Sequence, residues 1–439
     1  MAAGRGGPKW NAVSGRRTLG VAATVPAARI EGRGRPARGG FQMAEQLKVE
    51  KAFDADNHYY EALDAFTRYI EPEYAKRAMQ WAEVNGRQML LVGGKINRFI
   101  PNPTFDKLSA PGSLEDYFRG LNPKGESVKD LFGQLEPCDP SYRDRDVRLG
   151  VMDELGIEGA LFFPTLGVGM EQALINDLPA ARAAFRAFNR WMDDDWGFAY
   201  KERIFGVPYL TLSDLDNAVA ELNWVLERDA RVVLIGTGPV TTAEGLKSPA
   251  DPRFDPFWAR IQEAGVVVAF HGGDSAYRNI ITMWGEGADM EAHKFEPLRQ
   301  ALSPDVVADT LAAIILHGLI DRFPKLRFAT IETGADWVAP LLKRLNKIYS
   351  QNPTAFTQDP IEVFKRNVWV SPFYENDLDK LRSLMPADHL LLGSDWPHTE
   401  GLRDPLSFTK DLAEAGFTTD EQELIMYDNC KGLVQRQPA

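Results

Sequence analysis

The chain of 439 residues contains only two cysteines, Cys138 and Cys430, which lie far apart in the sequence. Two isolated thiols exclude a thiolate metal cluster and a disulfide scaffold, and they are typical of a reducing compartment. No apolar run approaches the roughly 18 residues that a membrane-spanning helix requires. We therefore expect a cytoplasmic protein outside the membrane, in which any metal is held by histidines and carboxylates.

Acidic residues outnumber basic residues beyond the first 42 residues. Residues 1–42 contain eight Arg or Lys and one acid, Glu31, although the whole chain carries a net charge of −12. The head thus carries +7 and the remaining residues carry −19. An acidic body of this size repels phosphate backbones, which argues against nucleic-acid binding. The head is rich in Gly, Ala and Arg without hydrophobic periodicity, so we predict a disordered basic extension over 1–42 and one folded domain over 43–439.

A Gly-rich phosphate loop is also missing after the first predicted strand. After Tyr142 the sequence instead alternates short apolar runs with amphipathic helical patterns. Strands that are apolar on both faces and alternate with helices favour a (β/α)8 TIM barrel, with an open doubly wound sheet as the alternative. The predicted strands are Lys51–His58, Gly159–Phe163, Ile204–Leu210, Arg231–Ile235, Val266–Phe270, Leu326–Ile331, Asn367–Val370 and His389–Leu392.

The stretch between Tyr59 and Tyr142 does not follow this rhythm. It contains a helical pattern near Glu71–Val84 and then segments interrupted by Pro, Gly and Asn. Because long irregular stretches inside compact domains usually serve as lids or binding loops, we predict an insertion over 59–142 after the first strand. Further helices are predicted at Leu174–Tyr200, Leu215–Glu227 with Ser213 as N-cap, Phe257–Ala264, Val307–Asp321 and Thr419–Asn429, the last with Thr419 and Gln422 as a capping box.

Polar residues follow several predicted strands at the point where each strand ends. Since side chains alternate along a strand, the carboxylate and imidazole that end the first strand face the same way. In a barrel all these residues share the carboxyl-end rim, where mixed N and O donors suit a divalent ion. The residues in this position are Asp56, His58, His271, Glu332, Asp395 and His398.

Each of these residues also has a structural interpretation. His271 could be a core histidine, Asp56 could cap a loop, and Glu332 could begin a helix. Four metal-binding residue types at one rim are better explained by a single site than by separate structural roles. We therefore predict one divalent ion, Zn²⁺ first and Mn²⁺ or Fe²⁺ as alternatives, bound by Asp56, His58, His271 and Asp395. The remaining histidines, His293, His317 and His389, are interpreted as structural.

Three motifs at these positions resemble the amidohydrolase superfamily, within it the branch related to aminocarboxymuconate-semialdehyde decarboxylase and γ-resorcylate decarboxylase. The resemblance covers about residues 53–434. It implies a TIM barrel that holds one divalent metal through a His-x-His pair on strand one, a His on strand five and an Asp on strand eight. The motifs are Phe270-His-Gly-Gly273, the passage Leu316–Phe328 and Gly393-Ser-Asp-Trp-Pro-His398.

The chain departs from this family pattern at two positions. Asp56 replaces the first histidine of the pair, as in the resorcylate-type decarboxylases. Glu332 replaces the catalytic histidine that the family usually places after strand six. An anionic glutamate can act as an acid or base when burial raises its pKa, but it repels a substrate carboxylate. The second departure therefore argues against decarboxylation of an aromatic acid and leaves hydrolysis as an open alternative.

The resemblance implies a metal-dependent hydrolase or lyase that acts on a small cyclic or aromatic molecule through a metal-bound water or a metal-polarised substrate oxygen. Asp395 and Glu332 are the expected acid–base residues, and His398 is expected to bind substrate or to brace Asp395. Non-oxidative decarboxylation of an aromatic acid is the alternative reaction. A barrel that has lost its chemistry and serves as a binding or assembly subunit is the alternative from another class, because the strand-six histidine is replaced.

Aromatic and basic residues on loops near the predicted mouth are candidates for substrate binding. Tyr59, Tyr60, Arg98 and Trp284 would suit an aromatic or carboxylated substrate, although surface packing explains them equally well. The expected partner is a small-molecule substrate, with neither nucleic acid nor membrane. A homodimer is compatible with this fold.

Overall fold

The computed structural model describes residues 49–273 and 305–435 and, between these ranges, residues 277, 280, 282–285 and 298. The predicted extension 1–42 and the histidine at 293 lie outside the described residues. Among the described residues, no helix has both the length and the apolar character needed to cross a membrane.

The described residues form fifteen strands, of which the first and the seventh are the longest with eight residues each. In chain order they are β1 (Ala52–Tyr59), β2 (Met79–Val84), β3 (Arg87–Val92), β4 (Lys95–Ile96), β5 (Lys107–Leu108), β6 (Glu136–Pro137), β7 (Ile157–Pro164), β8 (Ile204–Gly206), β9 (Tyr209–Leu210), β10 (Val232–Ile235), β11 (Val240–Thr242), β12 (Gly245–Lys247), β13 (Val267–His271), β14 (Arg327–Ile331) and β15 (Val368–Val370).

Two parallel sheets form the centre of the fold. One has the strand order β1, β7, β8, and the other has the order β15, β14, β13, β10, β9. Their strands consist largely of Val, Ile, Leu, Phe and Ala and are buried on both faces, as in the run Val267–His271. Parallel strands covered by helices on both sides require this composition. The predicted α/β class with parallel strands is confirmed.

The predicted third strand, Ile204–Leu210, is divided into β8 and β9. Pro208 lies between the two pieces and has no N–H to donate to a neighbouring strand. Its carbonyl still accepts from Leu234 N–H at 2.9 Å, and Val207 N–H donates to the Phe162 carbonyl at 3.0 Å. The two pieces therefore bond to β7 on one side and to β10 on the other.

The prediction of a regular strand over His389–Leu392 is wrong. Ala387–His389 forms a 3₁₀ turn, and only Leu390 makes a parallel bridge, to Val370. The amide of Leu392 donates to the carbonyl of Ile425 at 3.0 Å, within a π-helical turn, so this amide is not available for a sheet. The segment is nevertheless extended and buried, and its Leu392 carbonyl accepts from Ala55 N–H at 2.8 Å.

Helices follow most of the parallel strands, as predicted, with different bounds. The α-helices are Glu115–Phe118, Val128–Leu131, Arg145–Glu154, Met170–Ala173, Leu178–Asp195, Leu215–Leu226, Asp255–Ala264, Val306–Leu316, Leu319–Arg322, Val338–Gln351, Pro360–Asn367, Leu378–Leu384, Phe408–Glu414, Thr419–Glu423 and Asn429–Val434; the π-helical turn Leu424–Asp428 joins the last two. Short 3₁₀ turns also occur at Pro140–Tyr142, Gly167–Gly169, Pro252–Phe254, Pro353–Ala355 and Pro405–Ser407.

Three details of the helix predictions are corrected. The predicted helix Val307–Asp321 is two helices, because Gly318 at φ +69° breaks the helical path after His317. The cap of the helix Leu215–Leu226 is Asp214, whose carboxylate accepts from Asn217 N–H, and not Ser213. The capping box before the C-terminal helix consists of Thr418 and Glu421, each one residue earlier than predicted.

The predicted helix near Glu71–Val84 is also wrong. Strands β2 and β3 form an antiparallel hairpin, in which Met79 pairs with Val92 and Val84 with Arg87. The turn residues Asn85 and Gly86 both have positive φ, +53° and +74°. This is the geometry of a type I′ turn, for which Asn-Gly is the preferred sequence. The dipeptide was therefore a local signal for a hairpin in the sequence.

Candidate metal centre

The candidate site lies where β1, β13 and β14 end. In the parallel pair of β13 and β14, His271 lies beside Ile331, so Glu332 follows at the same edge. The segment containing Asp395 is attached to β1 by two backbone hydrogen bonds: Asp395 N–H donates to the Asp56 carbonyl at 2.9 Å, and His58 N–H donates to the Trp396 carbonyl at 2.8 Å. The fold thus brings together the six residues that the sequence placed at one rim.

Two imidazole nitrogens face three carboxylates at this edge. His58 Nε2 lies 3.3 Å from Asp56 Oδ1, 3.3 Å from Asp395 Oδ1 and 3.7 Å from Glu332 Oε2. His271 Nε2 lies 3.2 Å from Glu332 Oε2 and 3.4 Å from Asp56 Oδ1. Ligand atoms of Asp56, His58, His271 and Glu332 all lie within 4.8 Å of one another. Glu332, which the sequence assigned to proton transfer, is therefore also within reach of the metal position.

The tautomer of His271 leaves a lone pair directed at these carboxylates. Its Nδ1 lies 2.7 Å from the Gly272 carbonyl oxygen, which can only accept, so a neutral ring carries its proton on Nδ1. In His58, which is 1% exposed, neither ring nitrogen has a hydrogen-bond partner among the described residues. Lone pairs and carboxylate oxygens that converge in this way are the donor atoms that divalent cations bind. The donor set of two imidazoles with carboxylates fits one divalent ion.

The pKa shifts show that burial disfavours the charged forms of these side chains. Burial, with the nearby His398 as the next cause, lowers the pKa of His58 to about 3. Burial raises the pKa of Glu332 well above its ordinary value, and the charge of Asp395 adds to this shift. Burial also raises the pKa of Asp395, with Glu400 as the next cause. Burial opposes ionisation of Asp56, but its contacts with His271 and His58 outweigh burial and lower its pKa.

The backbone is strained at two carboxylates of the site. Glu332 has φ +49° and Asp395 has φ +55°, both in the left-handed region that non-glycine residues rarely adopt. Strain of this kind concentrates at active and ligand-binding sites. Neighbouring glycines permit the close packing: a Cβ at Gly272 would lie 2.3 Å from the Glu332 carbonyl oxygen, and one at Gly393 would lie 2.3 Å from Ser371 Oγ.

His398 connects Asp395 to the end of β7. Its Nδ1 lies 2.6 Å from Asp395 Oδ1, and its Nε2 lies 3.0 Å from the hydroxyl of Thr165. That hydroxyl is also 2.8 Å from the Tyr59 carbonyl oxygen, to which it donates. The His398 ring stacks on His58 with ring centroids 4.0 Å apart. His398 therefore fixes the orientation of Asp395. It also borders the metal cluster, defined as the candidate ligand side chains Asp56, His58, His271, Glu332 and Asp395.

A buried network below the cluster connects β1 with the Asp395 segment. Asp54, which is fully buried, accepts from Ser394 Oγ at 2.5 Å, Ser394 N at 3.0 Å, Asn57 Nδ2 at 3.0 Å and Asp56 N at 3.1 Å. Asn57 in turn accepts from Arg148 at 2.6 Å. Sequence reasoning missed Arg148, although its spacing from Met152 on one helix predicts that both lie on the buried face.

A cavity of about 670 Å³ opens above the cluster. Its floor contains His58, His271, Glu332 and His398, and much of its wall comes from residues 99–135. Of the four predicted substrate-binding residues, Tyr60 lines this cavity.

The other three predicted substrate-binding residues do not line the cavity. Tyr59 is fully buried behind β1 and packs on Trp191 and Trp196, because alternation turns it away from His58. Arg98 is exposed, and Trp284 is 66% exposed; neither is among the described lining residues. The expectation that Tyr59 lies over the mouth is therefore wrong, whereas the roles of Arg98 and Trp284 stay predictions.

The comparison with family models and the comparison with solved structures identify the same family. A family model described as amidohydrolase matches residues 135–433. A solved amidohydrolase from Mycobacterium avium subsp. paratuberculosis K-10 is 42% identical, with a TM-score of 0.83 over 88% of this chain and 99% of that chain. No curated protein matches the sequence.

Two further solved structures share the fold at low identity. A dihydroxybenzoic acid decarboxylase from Polaromonas sp. JS666, with bound manganese and the inhibitor 2-nitroresorcinol, is 18% identical, with a TM-score of 0.50 over 77% of this chain and 97% of that chain. A 5-carboxyvanillate decarboxylase from Sphingomonas paucimobilis is 20% identical, with a TM-score of 0.51 over 75% of this chain and 97% of that chain.

Proposed function

Because the chain belongs to the amidohydrolase family, we propose that it is a metal-dependent hydrolase of a small organic molecule with an uncharged ester, lactone or amide group. The observation that supports this proposal is the convergence of two histidine nitrogens and three carboxylates at one strand edge. His58 Nε2 and His271 Nε2 lie 3.2–3.7 Å from oxygens of Asp56, Glu332 and Asp395.

Asp56, His58, His271 and Asp395 would hold one divalent ion, with Glu332 beside them. When bound, such an ion supplies Lewis-acid polarisation of a substrate oxygen and makes water more acidic. We favour Zn²⁺ because the donor set mixes imidazole with carboxylate, and Mn²⁺ is the alternative in view of the manganese-containing relative.

The protein's own groups divide the proton transfers between two carboxylates. Asp395, oriented by His398 at 2.6 Å, accepts the proton of the attacking water on its carboxylate. Glu332, whose pKa is raised by burial and by Asp395, donates a proton to the leaving group. The raised pKa thus allows Glu332 to perform the role of the imidazole that it replaces.

Decarboxylation is the second candidate reaction, and the sequence Asp56-x-His58 favours it because the resorcylate-type decarboxylases share a carboxylate at this position. Charge argues against it. Among the described residues that line the cavity, the cations are Lys107 and Lys129 on the wall, whereas Glu332 and Glu400 border the floor. A substrate carboxylate at the floor would therefore lie beside Glu400 and, when it is ionised, Glu332, with no lysine or arginine of the described lining residues there, so the bound ion alone would have to balance its charge.

Metal analysis tests the proposed site. We expect about one divalent ion per chain in protein purified without chelator, and loss of that ion in His271→Ala. His317→Ala is the matched control, because His317 lies in an exposed turn between two helices. Less than stoichiometric metal that does not rise when Zn²⁺ or Mn²⁺ is added would instead favour a binding or assembly role without chemistry.

A paired assay separates the two reactions. Lactones, esters and amides are monitored for acid release, and carboxylated aromatics are monitored for carbon dioxide. We expect acid release only. Carbon dioxide without acid release would overturn the hydrolytic proposal.

The fold proposal is that the two parallel sheets are parts of one (β/α)8 barrel with the predicted insertion after its first strand; the insertion then covers residues 60–142, not 59–142, because β1 extends to Tyr59. Parallel bridges support it at both sides of the Leu390–Trp396 segment, from Val370 to Leu390 and from Asn57 to Trp396. The hydrogen bonds of β8 and β9 to β7 and β10 support it on the opposite side.

A further inference from the structure

We infer that the substrate is an elongated, mainly apolar molecule whose uncharged reacting group reaches the metal cluster and whose acidic group, if it carries one, lies at the far end near Lys107 and Lys129. This inference rests on the proposed hydrolytic function and names its substrate class. It differs from the small aromatic acids that name the decarboxylase relatives.

The size of the cavity is the first argument. Its volume is about 670 Å³, within the range of roughly 300–1,000 Å³ that is typical of sites for drug-sized ligands. A water molecule occupies about 30 Å³ in the liquid, so the cavity has room for on the order of twenty non-hydrogen atoms. A single substituted ring at the floor would leave most of this space filled only by water.

The apolar lining above the floor is the second argument. Residues of the 60–142 segment contribute Phe99, Leu108, Phe118, Val128 and Phe132 to the wall. Several of these side chains are only half-buried, although they lie in one continuous depression. An apolar substrate would remove them from water, which is the usual source of affinity in such sites.

The distribution of charge along the cavity is the third argument. Glu332 and Glu400 border the floor, whereas Lys107 and Lys129 are exposed lining residues of the 60–142 segment. Neither lysine forms an ion pair with another residue in the part of the chain that the structure describes. Among the described lining residues, a substrate anion therefore finds lysine cations only on the wall, which favours an amphipathic molecule whose anionic end lies there.

Ester hydrolysis by the metal-loaded full chain tests this inference. We expect kcat/KM for p-nitrophenyl octanoate to exceed that for p-nitrophenyl acetate at least tenfold. Val128→Phe, which fills the cavity from a short helix, should lower the octanoate-to-acetate ratio at least fivefold. Leu121→Phe is the matched control, because Leu121 is exposed on the same segment and is not among the lining residues. It should leave the ratio unchanged.

The lysines are tested with a substrate that carries a remote acid. Replacing both Lys107 and Lys129 with Gln should reduce kcat/KM for the mono-p-nitrophenyl ester of suberic acid at least fivefold relative to the neutral octanoate. An equal effect on both esters would overturn the assignment of the anionic end to these lysines.

A binding measurement separates failure of this inference from failure of the proposed function. Anilinonaphthalene sulfonate combines apolar rings with an anion, and its fluorescence reports binding without turnover. We expect one site, weakened at least fivefold in Val128→Phe and in the Lys107 and Lys129 double variant. If no ester is hydrolysed but this dependence is found, hydrolysis is wrong and the apolar cavity with its cationic end is supported. If acetate is the best ester and the probe ignores these substitutions, the substrate class is wrong and hydrolysis stands.

Discussion

Glu332 combines three features that set it apart from an ordinary surface glutamate. Its backbone lies in the left-handed region at φ +49°, its Oε2 lies 3.2 Å from His271 Nε2, and its pKa is raised by burial and by Asp395. A strained residue persists only where its surroundings hold it in place. Glu332 can therefore either hold the metal or transfer a proton, and the two roles differ in what a neutral substitute preserves.

Glu332→Gln distinguishes these roles. We expect the variant to retain stoichiometric metal, because Asp56, His58, His271 and Asp395 remain, and to lose about 10²–10⁴-fold in kcat, the usual contribution of a general acid. Metal content and turnover measured on the same preparation check this. Asp395→Asn is the companion variant, and it should lose metal. Metal loss in Glu332→Gln with retention in Asp395→Asn would exchange the two assignments.

For individual residues, the sequence could predict which side chains gather at the candidate metal centre but not the role of each one. Asp56 and His58 follow from strand alternation, and the same rule turns Tyr59 away from the cavity, where it packs on Trp191 and Trp196. The sequence placed Glu332 at the same rim, but its approach to within ligand distance of His271 was not predictable, because it depends on the register that places His271 beside Ile331 and on the φ of Glu332.

Among the elements, the helix Arg145–Glu154 holds β1, which carries two of the candidate metal ligands, in place through one buried cation. Arg148 donates to Ser141 O at 2.8 Å, Asn57 Oδ1 at 2.6 Å and His58 O at 2.8 Å, and its guanidinium lies over the Trp396 ring. Burial lowers the pKa of Arg148 to about 9. One side chain therefore joins the strand that carries Asp56 and His58 to the segment that carries Asp395.

Arg148→Lys should disrupt this connection. A lysine cannot reach three acceptors in the fixed geometry of a guanidinium, and burial disfavours its charged form. We expect the free energy of unfolding to fall by about 2–4 kcal/mol and metal affinity to fall tenfold or more. Thermal unfolding and metal titration check these values. Arg68→Lys, which alters a surface ion pair with Asp64 and Asp195, should change either quantity little. Unchanged metal affinity in Arg148→Lys would limit Arg148 to a structural role.

The elements were predictable where a local signal matched the tertiary structure. Apolar runs identified the buried parallel strands, because each is buried on both faces. The Asn85-Gly86 turn was a sufficient signal for the β2–β3 hairpin, and the helical pattern near Glu71 was misleading. The loss of strand structure near Leu392 was not predictable, because its amide bonds to Ile425, which is distant in the sequence.

Over the whole molecule, the acidic character extends to carboxylates in the interior away from the metal cluster. Burial raises the pKa of Glu61 to about 7 from an ordinary 4.5. Its Oε1 accepts from the N–H groups of Leu166 and Gly167 at 2.8 and 3.0 Å, whereas its Oε2 has no hydrogen-bond partner among the described residues. Its ionisation therefore leaves a charge that is only partly compensated.

The pH dependence of global stability should reveal this group. Between pH 4.5 and 7 the folded protein binds a proton at Glu61 that the unfolded chain has released, so the free energy of unfolding falls as pH rises through this window. Glu61→Gln cannot ionise, and its stability relative to wild type should rise over the same window by on the order of 2 kcal/mol. Thermal unfolding of both proteins from pH 4 to pH 8 measures the difference. Glu83→Gln, an exposed carboxylate on the β2–β3 hairpin, should show none of this trend. A difference between Glu61→Gln and wild type that is constant with pH would mean that Glu61 ionises at its ordinary pKa, and that Oε2 is compensated in the folded protein.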